Sequence, residues 1–184
     1  MPPYGPCNIF EEQHNAFHTL VRTIIAQQVT KKAEKTYLGR IENIVQSPVF
    51  EPTAFPKGLF DELRGAKISP RKAKCILDLA ERITTGELDL DKLALQDDDT
   101  VVKTLKSIKG IGDWTTTIFL IFYLHRLDYL PPKDIALENT VKDLYPGKSI
   151  DEVAEQWRPY RSIASWYIWR HGDTRSGVRT SKAA

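Results

Sequence analysis

Leu105-Lys106-Ser107-Ile108-Lys109-Gly110-Ile111-Gly112-Asp113-Trp114-Thr115 reads as two helices joined by a tight hairpin. An amphipathic helix ends, a Gly-Ile-Gly turn follows, and a long apolar helix begins. Gly110 and Gly112 permit positive φ and close approach by another backbone. Ile111 between them can plug into a core and fix the turn. The free N–H groups opening the second helix form an anion site, and Lys106 and Lys109 add positive charge nearby. A DNA phosphate suits such a site, in a contact independent of base sequence. An ordinary helical connection with a glycine C-cap carries the same pattern, so the tripeptide alone leaves both readings open.

Outward from the hairpin, the period stays helical. Phe17, Leu20, Val21, Ile24 and Ile25 keep the i, i+3, i+4, i+7, i+8 spacing of a buried stripe. A second helix is expected from about Lys31 to Val45, and the Pro-rich stretch Ser47 to Pro56 is expected to be a loop. Ser69 can cap a helix that begins at Pro70, with Ala73, Ile76, Leu77, Ala80 and Ile83 inward and Gly86 at its end. Asp97, Asp98 and Asp99 favour the positive end of the next helix. The apolar run Ile118 to Leu124 extends to about 13 residues without a turn signal, which favours a buried helix over a strand. Further helices are expected around Ile150 to Trp157 and Pro159 to His171, the last burying Tyr160, Ile163, Ala164, Tyr167 and Ile168 and leaving Trp166 and Trp169 off that stripe. The fold class is all-α: one domain over residues 1–171 with the hairpin at about 105–125, and a flexible basic tail over 172–184.

The chain has 184 residues, 41% of them hydrophobic and 27% charged, enough to bury a real core. The net charge of +2 does not by itself point to nucleic acid, but the basic residues cluster. Arg64, Lys67, Arg71, Lys72 and Lys74 form one group, and Arg170, Arg175, Arg179 and Lys182 another. Each suits phosphate contact or simple solvation. Cys7 and Cys75, the only two cysteines, cannot supply a four-cysteine metal or iron–sulfur site. His14, His18, His125 and His171 show no metal spacing and read as structural or surface residues. There is no apolar run of membrane-spanning length and no signal-peptide layout, so a soluble intracellular monomer without membrane association is expected.

Downstream, Leu130-Pro131-Pro132-Lys133 is a stiff segment that delivers Asp134 to a new helix start. Asp is among the commonest N-caps, so capping is one reading of Asp134. Glu138, one turn later, is a competing carboxylate. Asp134 stands about 20 residues beyond the hairpin, and the residues alone leave its role open.

Gly110 to Asp134 resembles the hairpin, the Gly/Pro-rich loop and the aspartate of the helix–hairpin–helix DNA glycosylases, and in particular the DNA-3-methyladenine glycosylase II family. Ile25-Ala26-Gln27-Gln28-Val29-Thr30 resembles that family's first helix and wedge turn. Ile68-Ser69-Pro70-Arg71-Lys72-Ala73 resembles its Ser-x-x-Lys-Ala helix start, and Trp157-Arg158-Pro159-Tyr160-Arg161-Ser162 with Trp169 its C-terminal helices. The likeness runs from about Phe17 to His171. This chain departs from it at Ala136, where glycine is frequent, at Pro132-Lys133 before the aspartate, and at Lys67, where glycine is common. No counterpart of the extra N-terminal domain of some members is expected.

The resemblance implies a two-lobed helical fold with a cleft between lobes, and a hydrolase of base excision repair. Duplex DNA with a damaged base would be the partner, in the cytoplasm and nucleoid of a prokaryote or the nucleus of a eukaryote. It assigns Asp134 as the catalytic carboxylate, and Trp114, Ile118 and Trp169 to the base pocket. Gln27 or Gln28 becomes the wedge, and Lys109, Gly110, Ile111, Gly112, Asp113 and Thr115 the phosphate-binding hairpin. Backbone carbonyls of Lys106, Ile108 and Ile111 would hold a structural Na+ or K+; no other cofactor and no iron–sulfur cluster is expected. Bifunctional relatives carry a lysine where this chain has Trp114, so a monofunctional enzyme without lyase activity is expected. The implied substrates are alkylated bases of the 3-methyladenine, 7-methylguanine and ethenoadenine class. A lesion-binding protein without catalysis, or a glycosylase for deaminated or mismatched bases, are the alternatives.

Overall fold

The computed structural model describes residues 4–11 and 14–175, and among these every regular element is helical. In chain order they are α1 (Ala16–Ala26), α2 (Lys31–Val45), α3 (Phe60–Gly65), α4 (Pro70–Thr84), α5 (Leu90–Ala94), α6 (Asp98–Lys106), α7 (Asp113–Phe122), α8 (Ile135–Leu144), α9 (Ile150–Ala154) and α10 (Arg161–Arg175). Single 3-10 turns occupy Pro52–Ala54, Lys57–Leu59 and Glu155–Trp157.

The helix starts follow the sequence signals. Asn15, Thr30, Ser69, Asp89, Asp97, Asp134 and Ser149 each accept a backbone N–H of the first helical turn. Pro70 occupies the first turn of α4, where its missing N–H costs no hydrogen bond. Lys67 adopts φ 68, a left-handed conformation that suits glycine, the residue the resemblance leads one to expect there.

The described residues divide into two compact units, 14–119, and 4–11 with 120–175. In the first, α1 packs against α2, α4 and α5, and α3 packs on α4. Leu20, Ile24, Ile25, Ile41, Phe50, Leu63, Ile68, Ile76, Leu79, Leu105 and Ile108 are fully buried there. In the second, α8 packs along α10 and against α9. Leu137, Val141, Val153 and Ile168 form one cluster, and Ile9, Ile121 and Trp166 another.

Two expectations about α10 need correction. The helix runs through Gly172 to Arg175, so residues 172–175 are helical; the rest of the expected tail, 176–184, lies outside the described residues. Its buried face is also different. Tyr160 precedes α10 and is exposed, Ile163, Ala164 and Tyr167 are half-buried, and Ser162, Ser165, Trp166 and Ile168 are buried; Trp166 and Ile168 belong to two different apolar clusters, so the helix has no single buried stripe. Trp166 is therefore a core residue, with Arg170 over its ring.

His18 is buried in α1, and its Nδ1 accepts the Phe50 N–H at 3.0 Å. Burial first, then His14 and Arg22, push its pKa down from 6.5 to about 4. The unfolded chain therefore takes up a proton near pH 6.5, while the folded chain resists protonation until near pH 4. This stabilisation is complete above pH 6.5 and is lost as the pH falls towards 4, by up to about 3 kcal/mol. Urea unfolding at pH 7 and pH 4.5 is expected to show a smaller acid-induced loss in His18→Gln than in wild type. An equal loss in both would contradict this assignment.

Candidate active site

The hairpin joins α6 to α7 within the first unit. Ile108 and Ile111 are buried and anchor it; the Ile111 N–H donates to the Ile108 carbonyl at 3.1 Å. Gly110 has φ 113, and a Cβ added there would lie 2.9 Å from Cys75 Sγ. The hairpin thus needs glycine here for both backbone conformation and space. Burial pushes the Cys75 thiol up to about 12, so it fills space as an inert neutral group.

Gly112 differs from the expectation. It lies outside the positive-φ region, and an added Cβ would meet nothing within 4 Å. Its role is at the helix start: its carbonyl accepts the Thr116 N–H at 3.0 Å. Lys109, Gly112 and Asp113 are exposed, as a backbone-facing anion site requires. Lys106, exposed at the end of α6, pairs with Asp113 across the turn. Thr115 is buried, and its hydroxyl accepts from the Gln27 side chain at 2.8 Å.

That contact separates the two wedge candidates. Gln27 Nε2 also donates to the Gly110 carbonyl at 3.0 Å, so both amide hydrogens are directed at the hairpin. Gln28 is exposed with φ 55 and follows directly after the C-cap of α1. Gln27 is a brace in this structure, and Gln28 is the residue presented to solvent. Sequence alone did not separate adjacent glutamines, because the difference arises from hydrogen bonds to residues more than 80 positions away.

On α7, Trp114 is half-buried and Ile118, one turn later on the same face, is buried. The Lys106, Ile108 and Ile111 carbonyls are neutral oxygen donors of the kind that suits a hard monovalent cation.

In the second unit, Asp134 is the N-cap of α8 and only 7% exposed. Its Oδ1 accepts the Leu137 N–H at 2.8 Å and the indole Nε1–H of Trp169 at 3.3 Å. The carboxylate is therefore held from two sides, by the helix it starts and by α10. Trp169 is half-buried, stacked on Phe122 with ring centroids 5.9 Å apart. Its link to Asp134 had no signal in sequence; it depends on α8 lying along α10. Gly172 permits that close packing, since a Cβ there would sit 2.6 Å from Thr140 Oγ1. Lys133 is exposed at φ 55, and Ala136 is exposed on the first turn of α8. Glu138 is half-buried.

Among the described residues no group of histidine, cysteine or acidic side chains is arranged to hold a metal ion, and no helix is long and apolar enough to cross a membrane.

Residues 21–159 match the HhH-GPD superfamily base excision DNA repair proteins. YfjP of Bacillus subtilis is 30% identical over 182 residues, covering 88% of this chain and 63% of that protein, so this chain spans less than two thirds of that relative's length. A Bacillus halodurans DNA-3-methyladenine glycosidase structure is 32% identical with a TM-score of 0.71, covering 90% of this chain and 79% of that one. A Schizosaccharomyces pombe 3-methyladenine DNA glycosylase in complex with abasic DNA is 26% identical with a TM-score of 0.80, covering 91% and 84%. Because that match covers residues 21–159, well over half of the chain, this chain belongs to the HhH-GPD superfamily of base excision DNA repair proteins.

Proposed function

We propose that this protein is a monofunctional DNA glycosylase, acting as a monomer, that flips alkylated bases out of duplex DNA and hydrolyses their glycosidic bond. The observation that carries the proposal is the fixed carboxylate of Asp134, 7% exposed and hydrogen-bonded by Trp169. The named activity of the similar glycosylases supports the substrate class.

A base in the stack is out of reach, so the nucleotide must be extruded. The hairpin backbone at the exposed Lys109, Gly112 and Asp113 would hold the strand by its phosphates, and Gln28 would fill the space left by the base. A cation on the Lys106, Ile108 and Ile111 carbonyls would add positive charge at the phosphate when bound. Trp169, hydrogen-bonded to Asp134, would supply an electron-rich face for an electron-poor alkylated base. Departure of the base leaves an oxocarbenium-like sugar, whose charge Asp134 would stabilise while orienting the attacking water. An alkylated base is already a good leaving group and needs little acid catalysis. Trp114 cannot form the Schiff base on which strand cleavage depends, so the product would be free base and an intact strand with an abasic site.

The test is a panel of duplexes carrying 7-methylguanine, 3-methyladenine, 1,N6-ethenoadenine, uracil or a mismatch, analysed for strand breaks with and without alkali. The proposal expects alkali-dependent breaks at alkylated positions only. Breaks without alkali would overturn the monofunctional assignment. Cleavage confined to uracil or mismatches would move the substrate to deaminated bases.

A further inference from the structure

Lys72 lies in the first turn of α4, a position where helix polarity disfavours a cation. Its charge is used elsewhere. Nζ donates to the carbonyls of Ile25 and Gln27, each at 2.8 Å, at the C-terminus of α1. Those carbonyls lie where a helix leaves its acceptors without partners and its dipole is negative, so a half-buried ammonium there is well matched. Burial pulls the Lys72 pKa down while Glu34 opposes that shift, and burial raises Glu34 itself.

The contact lies at the base of the wedge turn. Gln27 is held through its backbone by Lys72 and through its side chain by Gly110 and Thr115 of the hairpin. The next residue is Gln28, left-handed and exposed. Three segments distant in sequence therefore meet at one residue: the end of α1, the start of α4 and the hairpin.

We infer that Lys72 is a positioning residue that, through Gln27, locks the wedge turn to the phosphate-gripping hairpin, so that Gln28 is presented at a fixed offset from the strand the hairpin holds. This rests on the glycosylase reading. Binding of undamaged duplex, which needs only the hairpin, is separable from insertion, which needs the offset.

The test compares wild type with Lys72→Met, which keeps length and removes the charge and donors, and Lys72→Arg, which keeps both donors. Three measurements are made on each. The first is affinity for undamaged duplex. The second is fluorescence of 2-aminopurine placed beside a tetrahydrofuran abasic-site analogue, which reports insertion. The third is single-turnover release of 7-methylguanine. Lys72→Met is expected to keep duplex affinity while losing about tenfold or more in release and most of the fluorescence change, with Lys72→Arg recovering most of both. Amide hydrogen exchange supplies a readout independent of catalysis: protection at 26–30 and at 110–115 should fall together in Lys72→Met. If that variant does not fold, Gln27→Leu cuts the same link on the hairpin side and should show the same split. Unchanged insertion and release in the variant, or exchange that rises at 26–30 alone, would overturn the inference. Wild type that neither inserts nor releases base would instead sink the glycosylase reading, while the exchange result would still decide the brace.

Discussion

Asp134→Asn is expected to lower the single-turnover rate of alkylated-base release by about 100- to 1000-fold, the range for removing one preorganised electrostatic contact to a developing charge. The substitution is informative because it separates charge from structure. Asp134 caps α8 through Oδ1, and asparagine caps about as well as aspartate. The Trp169 N–H can still donate to the amide oxygen at the position of Oδ1. Stability should therefore change by less than about 1 kcal/mol, and affinity for a duplex with an abasic-site analogue should persist. Denaturant unfolding and a binding titration, run beside the rate measurement, check both. A large loss of stability would mean that the carboxylate matters mainly as a cap. Full activity in the variant would remove Asp134 from the chemistry.

Gly110→Ala is expected to cost about 2–4 kcal/mol of folding stability and to abolish tight duplex binding. Two effects add. Alanine at φ 113 is strained, and its Cβ would come within 2.9 Å of Cys75 Sγ and 3.0 Å of Cys75 Cβ, in a buried site with little room to give. Cys75→Ala in the same chain should recover only part of the loss, because the Cβ contact and the backbone strain both remain. Gly112→Ala is the control. It has open space and no positive φ, and should cost no more than about 1 kcal/mol. Equal effects at the two glycines, measured by urea unfolding, would show that Cys75 does not set the requirement at Gly110.

Much of this arrangement was legible in the sequence, and the limits have physical causes. Local signals came through. Ser69-Pro70 marks the start of α4, Asp97 caps α6, and Asp134 starts α8, because capping depends on residues within one turn. The equivalence of the two hairpin glycines did not hold, since only Gly110 has a positive φ and only Gly110 lies against Cys75, 35 positions before it. The five-residue α5 (Leu90–Ala94) was missed because a single turn and a half cannot display a period. The stripe of α10 was misread because a helix covered on two sides has no single apolar face, which is why Trp166 is in the core. Asp134 was singled out by the family resemblance of the segment from Gly110 to Asp134, but its bond from Trp169 is a tertiary contact with no local trace. Lys72 was visible as part of a Ser-x-x-Lys-Ala motif, while its partners, the Ile25 and Gln27 carbonyls, are not side-chain features of any sequence.

The central claim is hydrolytic release of an alkylated base that depends on the Asp134 charge. Its most direct test quantifies free 7-methylguanine released from duplex DNA under single-turnover conditions by wild type and by Asp134→Asn at matched DNA occupancy. The account predicts release by wild type, with an intact abasic strand left behind, and release at least about 100-fold slower by the variant. Tight binding of the alkylated duplex by both proteins with no free base from either would contradict it, and would make this chain a lesion-binding member of its superfamily.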